Sequence, residues 1–272
     1  MRRMSNHIHI GTSGWVYPHW RGVFYPPDLP QSCWYNHYAK EFDTVEINYS
    51  FYRLPSEQAF DHWREQAPEG FVYAVKANRY ITHVKRLKDA ADPLERFLSR
   101  ARQLGEKLGP ILWQLPPRWR ANTERLETFA ALLTPNRSAE ASALSLTEAR
   151  SRRSLTHAFE FRDPRWFVEP VRDILERHRL AFCIFDMPGL PCPAWVTSDV
   201  VYLRFHGSGE VYGDQYGREA LHPWATRIQE WLCEGHDVYA YFNNDPFGYA
   251  VDDALELRQL MGGCSLDIEK LS

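Results

Sequence analysis

The chain has 272 residues, of which 44% are hydrophobic and 14% aromatic, and its formal net charge is −3. This composition can fill a large core and excludes an intrinsically disordered chain, and the small negative charge argues against bulk attraction to nucleic acid or membranes. No secretory signal is expected at the N-terminus, and no run approaches the roughly 20 apolar residues that span a bilayer. The five widely spaced cysteines favour reduced thiols in a cytoplasmic protein over a disulfide framework or a zinc ribbon.

The first half of the chain has the pattern of four strands separated by helices. The predicted strands are His7–Thr12, Thr44–Tyr49, Phe71–Ala77 and Ile111–Leu115. The predicted helices are Trp34–Lys40, a second helix with Ser56 as N-cap that runs through Gln66, and a long third helix that Pro93 opens and Gly109–Pro110 stops.

The second half repeats the alternation. The predicted strands are His157–Arg162, Ala181–Asp186, Val200–His206 and Val238–Asn243, and the predicted helices are Thr123–Leu133, Pro170–His178, Pro223–Glu234 and Asp252–Met261. The polar segment Pro135–Ser154 is either a loose helix or a surface excursion. The proline-rich connection between the sixth and seventh strands is too short for a full crossover helix, so we predict a degenerate one there.

Alternation of polar and apolar residues within the strands selects the fold. Glu46 and Asn48 alternate with Val45 and Ile47 along the second strand. The fifth and seventh strands repeat this pattern, with the polar pairs Glu160–Arg162 and Arg204–His206. Eight βα units predict either a (β/α)8 TIM-like barrel or an open doubly wound sheet. Because both faces of a central strand in an open sheet would be apolar, we predict one (β/α)8 barrel domain over residues 1–272.

Active sites of such barrels lie at the C-terminal ends of the strands. The polar residues predicted at those ends are Glu46, Asn48, Lys76, Gln114, Glu160, Arg162, Asp186, Arg204, His206, Asn243 and Asn244. A structural network that caps the barrel core is the alternative. Since burying many charges is costly, the set as a whole favours a functional site.

A divalent metal is a second hypothesis for this site. Glu46, Glu160, Asp186 and His206 offer the oxygen and nitrogen ligands of metal-dependent isomerases and endonucleases. Cations from the same strand ends would compete for those carboxylates, so we predict no metal and no cofactor. The histidines of His7–His9 begin their strand, which is the wrong end for a metal site of barrel hydrolases. The Gly207–Gly213 loop fails the dinucleotide fingerprint, because its third glycine comes one residue late and no helix starts there.

Two basic features have more than one interpretation. Lys76 at a strand end suits a Schiff-base lysine, but nearby acids are expected to raise its pKa, which favours an anion-binding role. The segment Arg79–Lys88, interleaved with Tyr80, and the segment Arg118–Arg120 would suit phosphates and stacked bases. The alternative for these segments is a solvated helix face, which the acidic net charge favours.

Short motifs distributed along the chain resemble those of one family. They are Gly11–Trp15, Phe24–Pro26, Phe42–Asn48, Ser50–Pro55, Ile81–His83, Leu115–Pro117, Glu160–Arg162, Trp166–Phe167, Arg204–Gly207 and Tyr241–Asp245. They resemble the YecE-like family, known as a domain of unknown function. The resemblance implies a TIM barrel and brings no established catalytic residues. Tyr49 and Asp163 depart from the family's pattern, in which a small residue and a histidine are common.

These observations predict an enzyme that acts by general acid–base chemistry on a polar, anionic small molecule or nucleotide. Arg162, Arg204 and Lys76 would hold the anion, Glu160 or Glu46 would be the general base, and His206 its acid partner. The substrate-binding amides and acid would be Asn48, Gln114, Asp186, Asn243 and Asn244. We expect Arg204 to face an open pocket, so that Arg204→Ala should leave stability unchanged or raise it. If Arg204 instead only neutralises a buried Glu46 or Glu160, the replacement should destabilise the protein.

Two alternatives stay open: a non-catalytic protein that binds nucleic acid or another partner through Arg79–Lys88, and a divalent-metal-dependent isomerase or endonuclease-like barrel. No membrane partner is predicted.

Overall fold

Eight parallel strands form the centre of the molecule. The computed structural model describes residues 6–134 and 155–268, so the predicted excursion Pro135–Ser154 lies outside the described residues. The strands are β1 Ile8–Thr12, β2 Thr44–Ile47, β3 Val72–Lys76, β4 Leu108–Gln114, β5 His157–Glu160, β6 Ala181–Asp186, β7 Val200–Phe205 and β8 Asp237–Phe242. Each pairs in parallel with its neighbour in the order β1-β8-β7-β6-β5-β4-β3-β2.

The seam between β1 and β2 nearly closes this sheet into a barrel. Ser13, directly after β1, makes a parallel bridge to Glu46 of β2. Gly11 permits the approach, because a Cβ atom at this position would lie 2.4 Å from the carbonyl oxygen of Thr44. The TIM-barrel-like α/β fold predicted from the strand pattern is therefore confirmed.

Helices surround the strands. They are α1 Trp34–Glu41, α2 Tyr49–Tyr52, α3 Glu57–Gln66, α4 Ala91–Ala101, α5 Thr123–Leu133, α6 Glu169–Arg177, α7 Gly217–Glu234 and α8 Tyr249–Ile268. Ser56 caps α3 as predicted, since its hydroxyl accepts a hydrogen bond from the backbone N–H of Ala59 at 3.2 Å. No helix occurs between β6 and β7, which confirms the degenerate connection. None of the described helices is both long and apolar enough to cross a membrane.

Two element boundaries differ from the sequence prediction. The predicted long third helix ends at Ala101 and gives way to a 3-10 segment, Arg102–Lys107, so β4 begins earlier and contains Pro110. Helix α7 begins at Gly217 rather than at Pro223, because the carboxylate of Asp253 accepts hydrogen bonds from the first backbone N–H groups of the helix.

Alternation along the strands separates two cores. Val45 and Ile47 of β2 belong to the large core between strands and helices. The smaller core inside the barrel consists of Ala74, Leu112, Ala158, Ala181, Cys183, Tyr202 and Tyr241. The polar residues of β2, β5 and β7 share the inward parity and lie one layer nearer the C-terminal strand ends.

Candidate functional site

A cluster of charged side chains fills the barrel interior at the C-terminal ends of the strands. It consists of Glu46 from β2, Lys76 from β3, Glu160 from β5, Arg204 from β7 and His206 after β7. Lys76 is 6% exposed and the other four are fully buried. The structure thus brings together the predicted residues that share the inward parity.

Arg204 is the centre of the cluster. Its Nε and Nη2 donate to the two carboxylate oxygens of Glu46 at 3.1 and 2.8 Å, and its Nη1 donates to Oε2 of Glu160 at 2.8 Å. A fourth hydrogen bond runs from Nη2 to the hydroxyl of Ser13 at 3.2 Å. The expectation that Arg204 faces an open pocket and holds an anion is wrong, because protein groups already neutralise and bind its guanidinium.

Two further residues, which were not predicted from the sequence, donate hydrogen bonds to the carboxylate of Glu46. Ser13 Oγ donates to Oε1 at 2.5 Å, and the hydroxyl of Tyr202 donates to Oε2 at 2.7 Å. Tyr202 precedes Arg204 by two residues and therefore shares its inward parity, which is the signal that would have identified it. With both oxygens occupied and no exposed surface, Glu46 is poorly placed to act as a general base.

Glu160 is held between cations. Nε of Arg162 lies 2.6 Å from its Oε1, an ion pair without well-aligned hydrogen-bond geometry, and Arg204 contacts its other oxygen. Burial alone would raise the pKa of Glu160, but Arg162 and Arg204 outweigh it and hold this pKa well below its usual range. Glu160 is therefore a permanent carboxylate and a weak base at neutral pH.

His206 is a neutral imidazole with both ring nitrogens against protein groups. Its Nε2 lies 3.2 Å from Oε1 of Glu160 and 3.0 Å from Nη2 of Arg162, and its Nδ1 lies 3.2 Å from Nδ2 of Asn243. Burial, followed by the charge of Arg162, lowers the pKa of His206 to about 3. It therefore carries no imidazolium proton to donate at neutral pH, which argues against its predicted role as acid partner.

Lys76 is a buried amine without a carboxylate partner. Its Nζ lies 4.4 Å from the centre of the Phe51 ring, and no described carboxylate lies within ion-pair distance of it. Burial, followed by the charge of Arg204, lowers the pKa of Lys76 to about 7, although Glu46 and Glu160 act in the opposite direction. The expectation that nearby acids would raise this pKa is wrong, because desolvation dominates.

An outer polar layer covers the cluster. Asn48, Gln114, Arg162 and Asn243 are each partly exposed, and Arg162 contacts Sδ of Met187 at 2.8 Å through Nη1. Oδ1 of Asn48 and Oε1 of Gln114 are buried atoms with no hydrogen-bond partner among the described residues. Buried polar atoms are rarely left without partners, so a water molecule or a ligand is expected to donate a hydrogen bond to each of these acceptors.

Two predicted site residues face the helices instead. Asp186 continues the outward parity of β6. Its carboxyl group accepts hydrogen bonds from the side chains of Trp224 and Tyr216, and burial raises its pKa. Asn244 has the outward parity of β8, and its Nδ2 donates to Oδ2 of Asp253 at 2.8 Å. Both were assigned to substrate binding, and their outward parity places them outside the cluster.

The predicted metal ligands do not converge. The guanidinium of Arg204 lies between Glu46 and Glu160, and Asp186 faces the helices. Within the described residues, no group of three or more His, Cys, Asp or Glu side chains is arranged to hold a metal ion. The donor set proposed for a metal-dependent isomerase or endonuclease therefore does not fit a divalent cation here.

The basic segment Arg79–Lys88 follows β3 at the same end of the barrel. It begins with the single π-helical turn Tyr80–Val84, and positive φ angles at Arg86 (49°) and Leu87 (65°) then break the helix. Tyr80 is 48% exposed, and Ile81 and Thr82 anchor the turn in the core. Beyond this turn the segment is a loop, so it does not form the continuous solvated helix face considered as an alternative.

Two surface clefts are formed by residues outside the charged cluster. A cleft of about 500 Å³ lies between α5 and α6 and is lined by Glu127 and Arg177, among others. A second, of about 300 Å³, is lined by Phe42, Asp43 and Arg258, among others. Neither contains a residue of the charged cluster. We place the candidate site at the strand ends because buried charges and unpartnered amides coincide there.

Comparison with known proteins places the chain in a family. The family model "Protein of unknown function DUF72" matches residues 9–270. UPF0759 protein YunF of Bacillus subtilis (strain 168) is 23% identical over 293 residues, which cover 96% of this chain and 95% of YunF. UPF0759 protein YecE of Escherichia coli (strain K12) is 32% identical over 111 residues, covering 40% of this chain and 38% of YecE.

Solved structures agree with this assignment. The crystal structure of a DUF72 family protein from Thermotoga maritima MSB8 has a TM-score of 0.80 and 27% identity, and the match covers 94% of this chain and 99% of that one. The YecE-like resemblance of the sequence motifs is therefore confirmed, and the chain belongs to the DUF72 family of proteins of unknown function.

Proposed function

We propose that this chain is an enzyme that binds a polar, anionic small molecule or nucleotide over the strand ends. The observation that carries the proposal is the uncompensated amine of Lys76. Glu46 and Glu160 carry two negative charges, which Arg162 and Arg204 balance, so that protonated Lys76 adds one unpaired positive charge. An anion beside Lys76 would neutralise this charge at a position where desolvation makes it costly.

Arg162 is the second anion-binding cation. Its side chain is 7% exposed, its guanidinium lies 5.5 Å from the Phe185 ring, and its Nη1 and Nη2 contact the uncharged groups of Met187 and His206. A guanidinium fork suits phosphate or carboxylate oxygens. The amides of Asn48 and Gln114 would bind the polar remainder of the ligand, since each has an unpartnered oxygen.

Lys76 also replaces the predicted carboxylate and imidazole as the group that transfers protons. A general acid or base works best when its pKa lies near the operating pH, and the pKa of Lys76 is about 7. The pKa values of Glu160 and His206 lie far below neutral pH, so these two residues would position their neighbours and would not exchange protons.

Thermal melts with and without millimolar phosphate or nucleoside monophosphates test this proposal. The anion should raise the melting temperature of the wild type, and Lys76→Met and Arg162→Gln should each abolish the increase. Arg177→Gln, at an exposed arginine on α6, is the matched control and should retain it. Equal anion stabilisation in all four proteins would contradict an anion site at the strand ends.

A second candidate function is binding of single-stranded nucleic acid through Arg79–Lys88. The observation that favours it is a set of exposed aromatic rings on the segments that follow the strands at this end of the barrel: Tyr49, Tyr52, Tyr80, Tyr212 and Phe247. Arg79, Arg86 and Lys88 are exposed beside Tyr80, and none pairs with a described carboxylate. Base stacking combined with backbone neutralisation is how proteins hold single strands.

Oligonucleotide binding as a function of salt tests this second candidate. If Arg79–Lys88 holds a strand, the affinity for a single-stranded oligonucleotide should fall steeply with salt, and Tyr80→Ala should weaken it further. Binding that is undetectable at low salt, or that Tyr80→Ala leaves unchanged, would reject the candidate without affecting the anion site.

A further inference from the structure

Lys76 is a nearly buried amine at the C-terminal end of β3. Its Nζ lies over the Phe51 ring at 4.4 Å, the side chain is 6% exposed, and no described carboxylate pairs with it. We propose that Lys76 forms a covalent imine with an aldehyde or ketone that carries a phosphate or carboxylate group. This inference rests on the proposed function and names its substrate class.

Charged groups from several elements face the amine. Glu46 of β2 and Glu160 of β5 favour its protonated form, whereas Arg162 after β5 and Arg204 of β7 oppose it. His83, after β3, lies 4.9 Å from the Phe51 ring, and burial followed by the charge of Lys76 lowers its pKa to about 4. The neighbouring imidazole is therefore neutral, and it adds no positive charge.

A neutral amine is the reactive form. With a pKa of about 7, roughly half of Lys76 is neutral at neutral pH. An exposed lysine has only on the order of one neutral amine in 10³ under the same conditions. A desolvated lysine beside other cations is an established arrangement for imine formation.

Imine formation proceeds through a carbinolamine. The Nζ lone pair attacks the carbonyl carbon, and a proton moves from nitrogen to oxygen to give a carbinolamine. Its hydroxyl leaves with a proton from solvent as water, and the C=N bond forms with a positive charge on Nζ. Glu46 and Glu160 then stabilise that charge, which the free amine only partly carries.

An anionic group on the carbonyl substrate would suit Arg162, whose charge acts on the amine of Lys76. The guanidinium of Arg162 would bind the phosphate or carboxylate, which fixes the carbonyl carbon over Nζ. Asn48 and Gln114 would accept hydrogen bonds from hydroxyl groups of the substrate through their unpartnered oxygens. The predicted substrate class is therefore a hydroxylated keto or aldehyde acid, or a sugar phosphate in its open form.

Reductive labelling tests the inference on the wild-type protein. Glyoxylate, a small aldehyde with a carboxylate, is added at pH 7 with cyanoborohydride, and peptide mass mapping measures labelling of each lysine. Lys76 should be labelled at least roughly tenfold faster than the exposed Lys40 and Lys88, because a larger fraction of its amine is neutral. Lys76→Arg should remove the fast-labelled peptide, and Lys88→Arg should retain it.

Raising the pH separates a reactive amine from a merely accessible one. Labelling of exposed lysines should increase about tenfold per pH unit from pH 7 to 9, whereas labelling of Lys76 should level off above about pH 7. Labelling of Lys76 no faster than that of Lys40 overturns the inference. If phosphate still stabilises the protein in that case, the anion site stands without imine chemistry; if phosphate has no effect either, both proposals fail.

Discussion

Arg204 binds Glu46 through two contacts, from Nε to Oε2 at 3.1 Å and from Nη2 to Oε1 at 2.8 Å. The same guanidinium reaches Glu160 through Nη1 at 2.8 Å, so one buried arginine joins β2, β5 and β7 inside the barrel. The paired contacts impose a fixed geometry on the carboxylate of Glu46, and the single contact holds that of Glu160. They also make the three strands depend on one side chain.

Replacement of Arg204 by alanine should destabilise the protein strongly. Arg204→Ala leaves two buried carboxylates without their shared partner, and we expect the free energy of unfolding to fall by about 3–5 kcal/mol. Urea unfolding at pH 7 measures this change. Arg218→Ala, which removes an exposed ion pair with Glu256, is the control and should have little effect. Unfolding of Arg204→Ala at the wild-type urea concentration would show that the cluster contributes nothing to stability.

The barrel was predictable because strand parity is a local property of sequence. Val45 and Ile47 could pack only on helices if Glu46 and Asn48 faced inward, and the structure has this arrangement. The same rule, applied to the strand ends, would have excluded Asp186 and Asn244, since each lies one residue away from the inward position. Those two assignments were wrong because they rested on the polarity of each residue and not on the face of the strand to which its side chain points.

The electrostatics of the site could not be predicted in the same way. The pKa of Lys76 depends on whether Glu46 and Glu160 pair with its amine or with Arg204. The spacing of these residues in the sequence does not show which pairing occurs. Ser13, which binds Glu46, was also missed, because the sequence does not show that a hydroxyl directly after β1 contacts a carboxylate of β2. Distances between strands decide such interactions.

Lys76 should give the protein a stability that rises with pH. In the unfolded chain the amine has a pKa near 10.5, whereas in the folded protein its pKa is about 7. Between these values the unfolded chain binds the proton and the folded protein does not, so the free energy of unfolding increases by up to about 1.4 kcal/mol per pH unit. Below pH 7 the folded protein must carry the buried charge and is least stable.

The variant Lys76→Met removes this dependence. Relative to the wild type, it should be more stable by several kcal/mol at pH 7, and the difference should shrink by about 3 kcal/mol as the pH rises to 10. Urea unfolding of both proteins at intervals of one pH unit measures the difference. Lys88→Met, at an exposed lysine, should show a constant difference. A constant difference for Lys76→Met as well would mean that the amine is charged in the folded protein throughout.

His206 should make the protein sensitive to acid. Burial and Arg162 lower its folded pKa to about 3 from an ordinary value of 6.5. As the pH falls below 6.5, the unfolded chain takes up a proton that the folded protein refuses until about pH 3, so the free energy of unfolding decreases with falling pH. From pH 7 to pH 4 this single histidine should remove about 3 kcal/mol of stability.

Comparison of His206→Gln with the wild type isolates this contribution from that of other acid-sensitive groups. Glu160 also loses stabilising ion pairs in acid, because its folded pKa is depressed, but it does so in both proteins. The stability of His206→Gln should therefore fall less steeply than that of the wild type between pH 7 and pH 4, while His222→Gln, at an exposed histidine, should follow the wild type. If the stability of the wild type and that of His206→Gln fall in parallel with pH, the imidazole takes up its proton in the folded protein as readily as in the unfolded chain. The assignment of His206 as a neutral histidine would then be wrong.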